Sequence, residues 1–270
     1  MDTHLVHLGR MPYREAWDLQ RATGNAVERG VLPDTILLVE HPPVYTVGRG
    51  ARGSLQNLLW DEDKRQSEGI ELHMVDRGGD ITYHGPGQLV GYPILDLRRH
   101  GQDIHGYLRA LEEAVMRTLA RFGIDSERMA PHTGVFVGSD KIAAIGVKAA
   151  NWVTQHGFAL NVDPCLRHFT GIIPCGLGDK GVTSMARVLE RPIALSEAMP
   201  VVEQELGAVF GFRYRPLDVD ALRAAISGAE SAPHKPFGGL RVPLPTGEAR
   251  KESGPEQDIE VTAAAATEAS

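Results

Sequence analysis

The chain has 270 residues, a formal net charge of -7 and two cysteines, Cys165 and Cys175. That length buries one substantial core, the acidic balance argues against non-specific nucleic-acid binding, and two cysteines are too few for a disulfide framework. No apolar run approaches the roughly 18 residues of a membrane span. The start, Met1-Asp2-Thr3-His4-Leu5-Val6-His7, has neither the basic region of a secretory signal nor an arginine-rich leader. The expectation is therefore a cytoplasmic protein with reduced thiols.

Tyr13, Ala16, Trp17, Gln20 and Ala26-Val27 recur near a period of 3.6, which predicts a helix from about Tyr13 to Arg29, with Pro12 suiting its first turn. Asp34–Glu40 reads as a buried strand, His41-Pro42-Pro43 breaks it, and Val44–Gly48 resumes extended structure. Ile70–Val75 alternates as a strand does. A glycine-rich loop follows, and then Gln88–Leu97 is strand again, with Pro93 marking an edge or bulge. His105–Phe122 predicts an amphipathic helix stopped by Gly123. Strands are expected at Gly134–Val137, Lys141–Val147 and Gly157–Val162, and a last helix at Ser196–Phe210. Strands and helices without regular βαβ alternation argue for an α+β fold, a mixed and largely antiparallel sheet flanked by helices. Beyond Ser227 few large apolar residues remain, so a folded domain over 1–229 and a disordered tail over 230–270 are expected.

Three segments carry chemistry. Cys175 stands between Pro174 and Gly176, a setting that presents a thiol on a turn and places the Gly176 amide to face an oxyanion. The plain alternative is a buried, inert thiol; Cys165, in Asp163-Pro164-Cys165-Leu166, reads as incidental. Lys141 precedes the apolar run Ile142-Ala143-Ala144-Ile145. Beside Cys175 it would lower the thiol pKa or, if desolvated, act as a base, though an ordinary solvated lysine is the commoner case. The loop Arg77-Gly78-Gly79-Asp80-Ile81-Thr82-Tyr83-His84-Gly85-Pro86-Gly87-Gln88 is no Walker or dinucleotide motif. Its glycines let backbone approach a ligand, and its polar residues exceed what a simple turn requires. His41 and His84 form no zinc pattern with the cysteines, so no metal is expected.

Together the Arg77–Gln88 loop, Lys141-Ile142-Ala143-Ala144-Ile145-Gly146, His156-Gly157-Phe158-Ala159-Leu160-Asn161, and Pro174-Cys175-Gly176 followed by Gly181-Val182-Thr183-Ser184 resemble the lipoyl(octanoyl) transferase family, over roughly Leu5 to Phe212. The resemblance implies a biotin/lipoate protein-ligase-like fold. It implies transfer of octanoyl from acyl carrier protein to a lysine of a lipoyl domain, in 2-oxoacid dehydrogenase complexes or glycine cleavage H protein, without a cofactor. It makes Cys175 the acyl-bearing nucleophile and Lys141 its partner. It places the acyl group against Arg77, Gly78, Gly79, Asp80, Ile81, Thr82, Tyr83, His84, Ala144, Ile145, Gly146, Gly157, Phe158 and Ala159. Other readings are an ATP-dependent lipoate or octanoate ligase on the same fold, a cysteine hydrolase, and a non-catalytic acyl-binding module. An acidic carrier protein needs a local basic surface on an acidic enzyme, and Arg49, Arg52, Arg98, Arg99 and Lys148 are the candidates.

Overall fold

The computed structural model describes residues 1–174 and 181–230; Cys175 and the expected tail from 231 onward lie outside the described residues. Ten strands and six α-helices follow in chain order among them: β1 (Asp2–Arg10), α1 (Tyr13–Glu28), β2 (Thr35–Glu40), β3 (Val44–Val47), α2 (Glu62–Ser67), β4 (Glu71–Met74), β5 (Ile81–His84), β6 (Gln88–Ile94), α3 (Ile104–Arg121), β7 (Val135–Val137), β8 (Asp140–Ala150), β9 (Val153–Asn161), α4 (Met185–Leu189), α5 (Leu195–Phe210), β10 (Arg213–Pro216) and α6 (Val219–Glu230). A seven-stranded sheet runs β10-β1-β2-β6-β9-β8-β7, and a three-stranded sheet runs β4-β3-β5. The β10–β1, β1–β2 and β3–β4 pairs are parallel; the rest are antiparallel, as the α+β reading expects.

The large sheet is covered on both faces. Ile36 and Leu38 of β2 join α3 and α5 in one core, while Leu37 and Val39 join α1 and α6 in the other. That is why β2 reads as an unbroken apolar run. Tyr45, Val47, Ile81, Tyr83, Phe169 and Ile172 form a separate core around the small sheet. The helices end where the sequence signals them: the Asp103 side chain caps α3 through the Gly106 amide, and Gly211, at φ 70°, closes α5.

Three expectations change. β1, α2, β5, α4, β10 and α6 were not foreseen: β5 forms inside the stretch read as a glycine-rich loop, and β1 pairs with the short β10 over four residues at one margin of the sheet, without a clear alternation. Pro93 is not on an edge strand, since β6 lies between β2 and β9. It is tolerated because the β6–β9 ladder is interrupted there, between the Gly91–Phe158 pair and the isolated Asp96–Val153 bridge. Arg98 and Arg99 are not at the mouth of the motif cluster. They sit past the end of β6 opposite Gln88, and the eight residues from Gln88 to Asp96 span about 26 Å of extended chain.

At that end two buried carboxylates are gathered. Arg98 Nε and Nη2 donate to Asp96 at 2.8 and 2.9 Å, and Arg99 lies 3.6 Å from both Asp34 and Asp96. His100 Nε2 meets Asp34 at 2.7 Å, and Asp34 also accepts the Asp96 amide at 3.0 Å. These arginines neutralise the fold's own acids. Arg98→Glu should therefore cost about 3 kcal/mol or more, by leaving Asp96 buried beside a like charge. Urea denaturation should show a lower midpoint; an unchanged midpoint would return Arg98 to the surface role expected from sequence.

Candidate active site

The glycine-rich loop lies against the half-buried stretch Ala144–Gly146 of β8. Gly78 N donates to Val147 O at 2.9 Å, and a Cβ on Gly146 would stand 3.0 Å from Gly78 O. A side chain there would crowd the loop backbone, so glycine suits that approach. Arg77 is buried and turned inward: its Nη2 donates to Thr46 O at 2.6 Å and to Thr46 Oγ1 at 2.9 Å, and its Nη1 to Gly78 O at 2.9 Å. It fixes the loop on β3. Asp80 accepts from the Asn57 side chain, tying the same loop to the segment that holds Ile172 and Ile173.

Strand alternation divides the remaining candidates. Thr82 and His84 share the face that meets Tyr13 and Thr46, with His84 stacked on Tyr13. Ile81 and Tyr83 face the small-sheet core, where Tyr83 Oη meets His168 Nδ1 at 2.7 Å. Likewise Ile145 and Phe158, cross-strand partners, belong to the α3/α5 side. Ala144, Gly146 and Ala159 alternate with them onto the opposite face. The long candidate run is therefore two sets of residues with different surroundings.

A chain of buried amides connects the motifs. His84 Nδ1–H donates to Gln88 Oε1 at 2.7 Å, and Gln88 Nε2 donates to Asn161 Oδ1 at 2.8 Å. Asn161 Nδ2 donates to Thr183 O at 3.0 Å, and Thr183 N donates to Lys141 O at 3.0 Å. Lys141 N in turn donates to Gly181 O at 3.0 Å. The Lys141 side chain is 7% exposed, with Nζ donating to Thr133 O at 3.3 Å and standing 5.2 Å from the Phe136 ring centre. Cys175 itself falls outside the described residues, but the chain on both sides of it is held. Ile173 N donates to Asn57 O at 2.8 Å, and Gly181 to Thr183 pair with Lys141. Cys165 is exposed and free.

A second polar group lies beside α1. Asp76 meets His156 Nε2 and Lys148 Nζ, each at 2.8 Å. Burial alone would raise the Asp76 carboxyl, but these two partners outweigh it and hold it well below the usual range. Burial pushes His156 down despite Asp76, so its Nε2–H donates as a neutral ring. Lys148 is thereby engaged rather than offered to a partner. His41 is neutral too: burial lowers it to about 4, Nδ1–H donates to Met11 O at 2.8 Å, and Nε2 accepts from Tyr92 Oη at 2.7 Å. Burial holds His84 well below its ordinary value. Nothing in the sequence pattern singled out Thr46, Tyr13 or Asp76, which join the site only through the sheet-to-sheet packing.

A small sheet and a glycine-rich loop set against a larger sheet with a buried lysine define a lipoate-ligase-like catalytic domain. Solved structures share this fold: lipoate-protein ligase A bound with ATP superposes with a TM-score of 0.70 at 15% identity, covering 86% of this chain and 95% of that one. The putative lipoate protein ligase Ta0514 from T. acidophilum, with bound lipoic acid, gives 0.69 at 16% identity, covering 84% and 94%. The chain belongs to the lipoyl protein ligase A/B catalytic domain family, whose profile it matches over residues 12–207. Among its relatives, the octanoyltransferase of Rubrobacter xylanophilus is 52% identical over 206 residues, 76% of this chain and 89% of that protein. That of Gloeobacter violaceus is 45% identical over 225 residues, 83% of this chain and 97% of that protein.

The neutral histidines set an acid limit on stability. A histidine whose folded pKa is depressed binds more protons when unfolded, so stability is lost as pH falls from the unfolded value toward the folded one. For His41 that window runs from 6.5 to about 4. It is worth about 3 kcal/mol when fully traversed. Urea midpoints measured from pH 7 to pH 4.5 should fall steadily, and His41→Asn should flatten the slope; an equal slope in the variant would mean His41 is not buried neutral.

Proposed function

We propose that this protein is an octanoyltransferase of protein lipoylation, passing octanoyl from acyl carrier protein to the ε-amine of a lipoyl-domain lysine through a thioester on Cys175. The observation that carries the reading is the buried Lys141, hydrogen-bonded through its own backbone to the Gly181–Thr183 segment that follows Cys175. The octanoyltransferase names of relatives at 45 to 52% identity supply the acyl group. A cytosolic setting keeps such a thiol reduced.

The scheme balances within the site. The Cys175 thiolate attacks the octanoyl thioester carbonyl, and the carrier thiolate leaves with a proton from the Lys141 ammonium. The acceptor amine then attacks the enzyme thioester and forms the amide. Cys175 leaves as thiolate, and the proton shed by the amine returns to Lys141. Thioester exchange is nearly thermoneutral and amide formation is downhill, so the scheme needs no ATP and no cofactor. The face bearing Ala144, Gly146 and Ala159 offers small residues against which an acyl chain lies. Burying most of its methylenes contributes about 5 kcal/mol. The competing reading, an ATP-dependent ligase, shares the fold and makes no enzyme thioester.

Intact-mass spectrometry after mixing with octanoyl carrier protein should show one added octanoyl group, discharged by apo lipoyl domain. Cys175→Ser should lose both adduct and transfer, and Cys165→Ser should keep both. Lys141→Ala should slow transfer about 100-fold and raise the pH at which Cys175 is alkylated. Transfer that proceeds in the Cys175 variant, or only with ATP, would defeat the scheme.

With Arg98, Arg99 and Lys148 engaged by carboxylates, Arg49 and Arg52 remain as the basic docking candidates. Both are exposed, and Arg49 N donates to Arg77 O at 3.0 Å, which places them beside the loop. Charge reversal at both should raise KM for octanoyl carrier protein several-fold, with little effect on a small octanoyl thioester. Equal loss with both donors would place them in the fold instead.

A further inference from the structure

Glu112 of α3 is a fully buried carboxylate that the scheme above does not use, with 0% of its surface exposed. Its Oε2 accepts from Arg109 Nη1 at 2.7 Å and Arg128 Nε at 3.0 Å, and its Oε1 accepts from Gly134 N at 3.1 Å. Arg128 is itself held, donating to Glu113 Oε2 at 2.9 Å and to Arg109 O at 3.1 Å. Both guanidiniums meet Oε2, which leaves Oε1 directed at a single backbone amide.

That amide belongs to the Thr133–Gly134 peptide, whose carbonyl is the one that accepts from Lys141 Nζ at 3.3 Å. A trans peptide is planar, with its N–H and C=O pointing in opposite directions. Fixing the N–H on Glu112 therefore aims the C=O at Lys141. A charged acceptor on the N–H also polarises the carbonyl, strengthening the bond it accepts on the other side. The loop carrying this peptide is closed at its base by paired Glu127 and Phe136, and the Phe136 ring lies under Nζ. Gly134 has φ 132°, and a Cβ there would stand 2.7 Å from Ala143 O and 3.4 Å from Lys141 Cε. The peptide thus sits against the lysine stem with no space for a side chain.

We infer that Glu112 is a positioning residue for Lys141, acting through the Thr133–Gly134 peptide unit. This rests on the proposed role of Lys141 and extends it to a residue on a different element. Among the described residues, the charged groups around the pair include Arg109 and Arg128 on Glu112, Glu113 on Arg128, Arg117 on Glu113, and Asp140, next to Lys141 in β8. Glu112→Gln removes the charge and sets an amide against the arginines while keeping nearly the same volume.

The test uses the full chain with Cys165→Ser, so that alkylation reports Cys175 alone. Wild type, Glu112→Gln, Gly134→Ala and Lys141→Ala are compared by the pH profile of alkylation and by kcat and KM with a small octanoyl thioester. Glu112→Gln should move the profile upward, in the same direction as Lys141→Ala and by less. It should lower kcat about tenfold with KM unchanged, and add nothing to the profile in the Lys141→Ala background. Gly134→Ala, which displaces the same peptide from Glu112 while keeping the carboxylate and both arginines, should do likewise and keeps the inference open to refutation if Glu112→Gln does not fold. A wild-type profile and kcat in the folded Glu112 or Gly134 variant, with Lys141→Ala still shifted, overturns this inference and leaves the proposed function standing. An unshifted Lys141→Ala profile overturns both.

Discussion

Between the two sheets runs a buried line of amide hydrogen bonds, from His84 through Gln88 and Asn161 to the backbone of Thr183 and Lys141. Each of these side chains is almost wholly withdrawn from water. In such surroundings a polar atom left without a partner is costly, so the members hold one another in a single arrangement. The line does for position what a hydrophobic core does for cohesion. It sets the glycine-rich loop, two strands of the central sheet and the segment after Cys175 in fixed relation to one lysine.

Charges elsewhere are arranged with the same economy. Asp34, Asp96, Asp76 and Glu112 all lie at least partly inside the protein, and each is met by cations or amides. The price of this internal neutralisation is that, among the described residues, Arg77 and Lys148 beside the site are engaged by internal partners. Under the proposed function an acidic carrier would have to be met by a small basic patch on an acidic protein, and exposed Arg49 and Arg52 lie beside the glycine-rich loop.

Much of this was legible in the chain itself. The helices Tyr13–Glu28, Ile104–Arg121 and Leu195–Phe210 follow their 3.6 periods closely, and the central strands follow their apolar runs. The motif residues were legible as a set because their chemistry is unusual for turns and strand ends. Their partition was not. A run such as Ile81 to His84 looks like one lining surface in sequence, whereas a strand must send alternate residues to opposite faces. The roles of Arg98 and Glu112 were hidden for another reason. A charged residue in sequence looks solvated by default, and only tertiary packing reveals that its counter-charge comes from 2 or 16 residues away.

The pairing at one margin of the large sheet bears on how the molecule is made. β1 lies beside β10, with Asp2 opposite Arg213, so the first strand of the chain finds its outer neighbour only after more than two hundred further residues have been joined. Contacts so distant in sequence form slowly, because a long loop must close before the pairing stabilises anything. During ribosomal synthesis β1 has β2 on one side and an open edge on the other until the end of the domain emerges. An unpaired edge is a template for association with other chains. The interval between the two strands is thus a period of vulnerability in vectorial folding, and interruption of translation before residue 213 would leave that edge exposed.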